Sequence, residues 1–280
     1  MHKRLALGIG AIVVAGAVTA GPAAAGAATV PVRASGLASS IALSNCSAAL
    51  VRYPTSLAAD RALMLTNGHC YEGGMPSAGQ VLQNRASTRS GKVLDSAGNA
   101  LGTVRSDKMI YATMTGTDVT LYQLTETFAA LKSRLNATPL TISGSHPTDA
   151  VSITIPSGYW KRVWNCKVNG FVSTLREGQW TWHDSIRYDP ACNTIHGTSG
   201  SPIVDAASGN IVGINNTGND DGARCTLNNP CEVDQNGNTT VHPGQSYGEE
   251  TYWFTTCLSP SNAIDLSVRG CLLAKPGGSA

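Results

Sequence analysis

Hydrophobic and polar positions alternate in short runs along most of this chain, and turn residues break the runs at close intervals. Val119 to Leu124 alternates behind an acid, Asp118, and reads as a half-buried strand. Met109 to Met114 reads as another. Lys92-Val93-Leu94 and Ala100 to Val104 flank Ser96-Ala97-Gly98-Asn99, a hairpin signal. Thr127 to Leu135 reads as a helical turn between two halves. Beyond it the strand rhythm resumes at Val151 to Ile155 and turns at Pro156-Ser157-Gly158. Lys167 to Leu175 and Gln179 to Tyr188 form a hairpin around Arg176-Glu177-Gly178, and Asn210 to Ile214 is a further strand. Many short strands with frequent turns predict an all-β barrel or sandwich and argue against a parallel α/β sheet.

The ends have a different pattern. His2-Lys3-Arg4 is basic, Leu5 to Ala20 is apolar, and Ala25-Gly26-Ala27 offers a small-residue cleavage site, so residues 1–27 read as a secretory signal peptide. Residues 28–44 are rich in Ala, Ser and Val and read as a linker, a short pro-segment or an edge strand. After Asn219 the loop signals Asp220-Asp221-Gly222, Asn228-Asn229-Pro230 and Asn236-Gly237-Asn238 crowd together. Residues 226–272 read as a disulfide-stapled extension and 273–280 as a tail.

Charge narrows the function classes. Removing the leader takes Lys3 and Arg4 from the 20 basic residues, leaving 18 against 18 acids. A balanced chain lacks the basic face that nucleic acid or an anionic membrane would need. With no other long apolar run, the mature protein is expected to be a secreted monomer without a membrane partner. Eight cysteines, an even number in an exported chain, favour four disulfides. Neither Cys-x-x-Cys nor His-x-x-x-His occurs, so no metal site and no cofactor are expected. Eight cysteines allow about 105 connectivities, so spacing leaves the pairing open.

Candidate chemistry centres on Gly197-Thr198-Ser199-Gly200-Ser201-Pro202. Flanking glycines permit a tight turn that exposes the Ser199 hydroxyl. The N–H groups of Gly197 and Ser199 can converge on one spot as an oxyanion hole. Upstream lie Thr66-Asn67-Gly68-His69-Cys70 and Thr117-Asp118-Val119-Thr120-Leu121. A serine nucleophile needs an adjacent base and a third group to orient that base, which makes Ser199, His69 and Asp118 the candidates in those roles. His183-Asp184-Ser185 holds all three types side by side, but strand neighbours point to opposite faces. His146 precedes a proline in a loop, and His242 lies in the tail. Asp107 and Asp149 lack the apolar strand that follows Asp118.

These three motifs, in this order, resemble those of the trypsin/chymotrypsin-like serine proteases over about residues 45 to 224. Thr-Asn-Gly-His-Cys is similar to that family's Thr-Ala-Ala-His-Cys, and Gly-Thr-Ser-Gly-Ser-Pro to its Gly-Asp-Ser-Gly-Gly-Pro. The likeness is greater to secreted bacterial members, including glutamyl-endopeptidase-like enzymes, which also carry a small residue before the serine. The resemblance implies two packed antiparallel β-barrels, about 45–140 and 150–225 within a protease domain of 45–272, with the active site in the cleft between them. It implies hydrolysis of protein or peptide substrates through an acyl-enzyme. A catalytically inactive binding module and an esterase with the same triad are the alternatives.

The resemblance also pairs Cys46 with Cys70. Sequential pairing of the rest, Cys166–Cys192, Cys225–Cys231 and Cys257–Cys271, is the simplest completion. The resemblance places the floor of the specificity pocket at Asn193 and a wall at Asn215, Asn216 and Thr217. With no carboxylate at Asn193, nothing there would favour Arg or Lys. His196 and the asparagines suggest an acidic or polar side chain instead.

Overall fold

The computed structural model describes His2 and residues 36–277; apart from His2, the stretch read as a signal peptide lies outside the described residues. The first strands are β1 (Ser40–Ala42), β2 (Ser47–Arg52), β3 (Arg61–Thr66), β4 (Val81–Ala86), β5 (Ser90–Leu94), β6 (Ala100–Thr113) and β7 (Val119–Thr127). Helix α1 (Phe128–Leu135) and β8 (Leu140–Thr141) follow. The second set comprises β9 (Ser152–Ser157), β10 (Arg162–Glu177), β11 (Trp180–Tyr188), β12 (Pro202–Asp205), β13 (Ile211–Gly218), β14 (Cys231–Val233), β15 (Thr239–Thr240) and β16 (Ser246–Glu250).

Each set closes on itself. The first sheet runs β1-β5-β6-β7-β3-β2, and β2 pairs back to β1. The second runs β11-β16-β13-β12-β9-β10, and β10 pairs back to β11. The result is two antiparallel six-stranded barrels, and closure removes the open edges that would otherwise invite aggregation. Ile41, Leu50, Leu65, Tyr111 and Leu121 fill the first barrel, and Ile153, Ile155, Ile186 and Ile203 the second.

Helix α1 follows its caps. The Thr127 side chain accepts from the Ala130 N–H at 3.1 Å, and Asn136 ends the helix in the left-handed region at φ 52°.

The structure redraws several sequence boundaries. The runs at Ala100–Val104 and Met109–Thr113 belong to the single strand β6, and Met114 lies just past its end. Its first half pairs with β5 and its second with β4, with register shifts between Ser106 and Lys108 and between Met109 and Tyr111 against β7. Such bulges break the alternation that marks a continuous strand. In β7 both faces are buried from Val119 to Tyr122, so the alternation there does not mark a half-buried strand; the Tyr122 hydroxyl donates to the Glu72 carboxylate. The described part of 28–44 contains β1, so the first barrel begins before residue 45. The stretch read as an extension supplies β16, which lies between β11 and β13 in the second barrel.

Four disulfides join Cys46–Cys70, Cys166–Cys192, Cys225–Cys231 and Cys257–Cys271. After β16 the chain makes a 3-10 turn over Tyr252–Cys257 and returns to the first barrel. Phe254, Cys257 and Leu273 join that barrel's core, and the Tyr111 hydroxyl donates to the Ala274 carbonyl at 3.0 Å.

Candidate active site

Strand β3 delivers His69. It ends at Thr66, and the chain then turns through Asn67 and Gly68. The Asn67 amide donates to the Asp118 carbonyl at 2.8 Å, which ties this turn to the start of β7. A Cβ on Gly68 would lie 2.0 Å from the Thr113 carbonyl oxygen and 2.8 Å from Asp118 Oδ1, so only glycine fits this contact. The Cys46–Cys70 bridge pins the far side of the turn.

Asp118 is fully buried. Its Oδ1 accepts from the His69 backbone N–H at 2.9 Å, and its Oδ2 lies 2.7 Å from His69 Nδ1. The carboxylate thus fixes both the backbone and the ring of the histidine, leaving Nε2 facing the cleft. Burial alone would lower the imidazole pKa. The Asp118 charge and hydrogen bond, with Glu177 adding to them, carry it above the ordinary histidine value.

Ser199 comes from the second barrel, in the loop before β12. A Cβ on Gly200, at φ 81°, would lie 2.0 Å from the Ser47 carbonyl oxygen and 2.3 Å from Thr66 Oγ1. The Ser199 carbonyl accepts from the Ser47 N–H at 2.8 Å. The Ser199 loop is therefore sewn to β2 of the opposite barrel. The Ser199 hydroxyl donates to the Asn216 carbonyl at 3.2 Å. Neither the Gly197 nor the Ser199 N–H finds an acceptor among the described residues. The Thr198 side chain holds the loop from inside: its hydroxyl donates to the Ile195 carbonyl and accepts from Asn215 Nδ2 at 3.1 Å. The Cys166–Cys192 bridge anchors the loop's entry.

His69, Asp118 and Ser199 all line one open cleft of about 370 Å³. His196, Asn215, Asn216 and Thr217 line it too, whereas Asn193 is exposed and stands outside. The Asn193 carbonyl accepts from Trp164 Nε1 at 2.8 Å, which turns this segment toward β10. The exposed His196 ring lies 2.7 Å from Asp220.

Sequence reasoning missed Glu177. This buried acid ends β10, lines the cleft, and accepts from Thr217 Oγ1 at 2.5 Å and from the Asn228 N–H at 2.9 Å. Burial pushes its carboxyl upward against the pull of these hydrogen bonds. It sits in the hairpin turn Arg176-Glu177-Gly178, where an acid has the ordinary look of a solvated turn residue. Only the packing of β13 and the 220s loop over that turn encloses it.

The two closed barrels, with His69 and Asp118 from one facing Ser199 from the other, define the chymotrypsin-like class. More particularly, the family model for the trypsin-like peptidase domain matches residues 55–214. That is more than half of the 280 residues, and the chain belongs to this family. Solved structures resemble the chain at low identity and with TM-scores below 0.5. The Nocardiopsis protease NAPase is 14% identical over 78% of this chain and 92% of its own, with a TM-score of 0.43. The MamO protease domain from Magnetospirillum magneticum is 14% identical over 80% of this chain and 97% of its own, with a TM-score of 0.48. A glutamic-acid-specific serine protease described as using a histidine triad in substrate binding is 15% identical over 75% and 90%, with a TM-score of 0.40. No curated protein matches the chain.

Proposed function

We propose that the protein is a secreted serine endopeptidase with Ser199 as nucleophile, His69 as base and Asp118 as its orienting partner. The observation that carries this reading is the 2.7 Å contact between His69 Nδ1 and a fully buried Asp118 in the cleft that holds Ser199. Asp118 holds the proton on Nδ1, so Nε2 keeps the lone pair that a base needs. A rotation about the Ser199 side chain moves its hydroxyl from the Asn216 carbonyl to Nε2. Oγ then bonds to the substrate carbonyl carbon, its proton passes to His69, and the carbonyl oxygen takes the negative charge. The N–H groups of Gly197 and Ser199 have no acceptor among the described residues, which supports them as the donors that receive that charge. Collapse breaks the C–N bond as His69 protonates the leaving amine. Water then repeats the sequence on the acyl-enzyme.

The cleft supports a revised preference. His196 already faces Asp220, and Glu177 and Asp220 add carboxylates beside the asparagines. That surrounding disfavours an acidic substrate side chain and suits a neutral or basic one. Exposed Met75, Ile195 and Leu227 add apolar contacts to the cleft lining.

The test is labelling with a fluorophosphonate, followed by matched peptide and ester panels. Wild type is expected to label and to cleave peptides. Ser199→Ala should fold, fail to label, and lose about a millionfold in kcat; His69→Ala should behave alike, and the double variant should lose little more. A wild type that does not label is an inactive binding module. One that labels but cleaves only esters is an esterase.

A further inference from the structure

Away from the cleft, three side chains from three elements converge in a way that hydrolysis does not use. Asp184 lies on β11 and Glu250 ends β16. These strands pair with Ile186 opposite Gly248, and just beyond that pair the carboxylates of Asp184 and Glu250 lie within 4.8 Å of each other. His146 comes from the loop between β8 and β9 and caps the pair. Its Nε2 lies 3.4 Å from the Asp184 carboxylate and 3.5 Å from Glu250 Oε1.

Like charges directly opposite on neighbouring strands are destabilising, and no Lys or Arg among the described residues pairs with either carboxylate. Glu250 is only 2% exposed, and neither of its carboxylate oxygens has a hydrogen-bond partner among the described residues. A buried charge left in this state is costly. Asp184 also takes a left-handed backbone conformation, φ 57°, in mid-strand. Sparsely populated conformations of this kind cluster at functional sites.

The histidine is set up as a ligand. Its Nδ1 lies 2.5 Å from the Pro147 carbonyl oxygen and can only donate there. In the neutral ring the Nε2 lone pair then faces two carboxylates. Metal-bound histidines are oriented by this same bond from the second ring nitrogen to a carbonyl or carboxylate. Phe171 at 4.1 Å and Tyr252 at 5.6 Å, centroid to centroid, hold the ring in place. The nitrogen–oxygen separations exceed good hydrogen bonds. Ligand atoms on a tetrahedral zinc, with bonds of about 2.0–2.2 Å, stand about 3.3–3.6 Å apart, and the two distances from His146 Nε2 to the carboxylates fall in that range.

We infer that His146, Asp184 and Glu250 form a binding site for one zinc-class divalent cation, with an open position toward solvent. One imidazole and two carboxylates suit zinc, whereas calcium takes six to eight oxygens. His146 and Asp184 are about one-third exposed, which gives the ion a way in. The site stands independently of the proposed hydrolysis. A proton on Glu250 is the competing way to relieve the same repulsion.

The test is to titrate chelator-stripped protein with Zn2+ by calorimetry and to follow its melting temperature. One ion per chain should bind and raise the melting temperature. His146→Ala and Glu250→Gln should each weaken binding by at least about tenfold while the far-ultraviolet spectrum stays unchanged. His242→Ala should bind as wild type does. If Glu250→Gln fails to fold, His146→Ala on its half-exposed loop decides the matter. Four outcomes overturn the assignment: no saturable binding, wild-type affinity in His146→Ala, saturation by Ca2+ in place of Zn2+, or binding abolished by His69→Ala.

Discussion

At the scale of single residues, His69 and Thr198 carry the sharpest expectations. A base must be neutral to accept a proton, and His69 titrates above the ordinary histidine value because Asp118 and Glu177 favour its charged form. The acid limb of kcat/KM should therefore have its midpoint above pH 6.5. Glu177→Gln removes one of the upward influences and should move that limb to lower pH. A midpoint at or below the ordinary value, or a limb that Glu177→Gln leaves in place, would contradict this. Thr198 stands where animal digestive members of the family keep an Asp that pairs with a freshly cleaved N-terminus. Its hydroxyl has no charge to offer such an ammonium, but it bridges the Ile195 carbonyl and Asn215 inside the nucleophile loop. Thr198→Val leaves Asn215 Nδ2 without this acceptor, at a cost of about 1–3 kcal/mol. It should lower kcat, and Thr198→Ser should restore it. Wild-type kcat in the valine variant would show that the loop is held by something else.

At the scale of elements, β16 matters most. It pairs with β11 through Ile186–Gly248 and with β13 through Gly213–Glu250. A chain ending after Cys225 lacks the strand between them, and the second barrel cannot close. Such a chain should yield no near-ultraviolet circular dichroism of fixed aromatics and no probe labelling; a labelled, cooperatively melting truncation would refute the point. The sequence made the β10–β11 hairpin and helix α1 legible because each has local punctuation: Gly178 at φ 55° in the first, Thr127 and Asn136 in the second. It hid β16. Ser246-Tyr247-Gly248-Glu249-Glu250 ends in two acids that are both buried, and no periodicity predicts buried acids. Glu249 is enclosed with Ser185 and Asn216, and Glu250 faces Asp184 and His146. The centre of the cleft was readable because glycines and a cysteine flank its residues. Its walls were not, since Glu177 and Asp220 reach the cleft only through loops folded over from distant parts of the chain.

At the scale of the whole molecule, the contacts between barrels set the geometry of the cleft. The Ser47–Ser199 backbone bond and the packing of Gly200 on Ser47 and Thr66 tie the Ser199 loop to the first barrel. With the loop held this way, catalysis should not require one particular mature N-terminus. Chains starting at Ala28, Pro31 or Ser35 should turn over a common substrate at similar rates. An all-or-none dependence on one start residue would make the stretch before Gly36 an activating pro-segment.

The returning tail bears on when the enzyme can exist during its own synthesis. The core of the first barrel includes Phe254, Cys257 and Leu273, and these are made long after Ser199. A ribosome adds about 5–20 residues each second, so several seconds separate the appearance of Ser199 from the last pieces of the barrel that must face it. Until then His69 and Asp118 rest on an unfinished core. Under the proposed function, a growing chain would have no competent site until Leu273 is made.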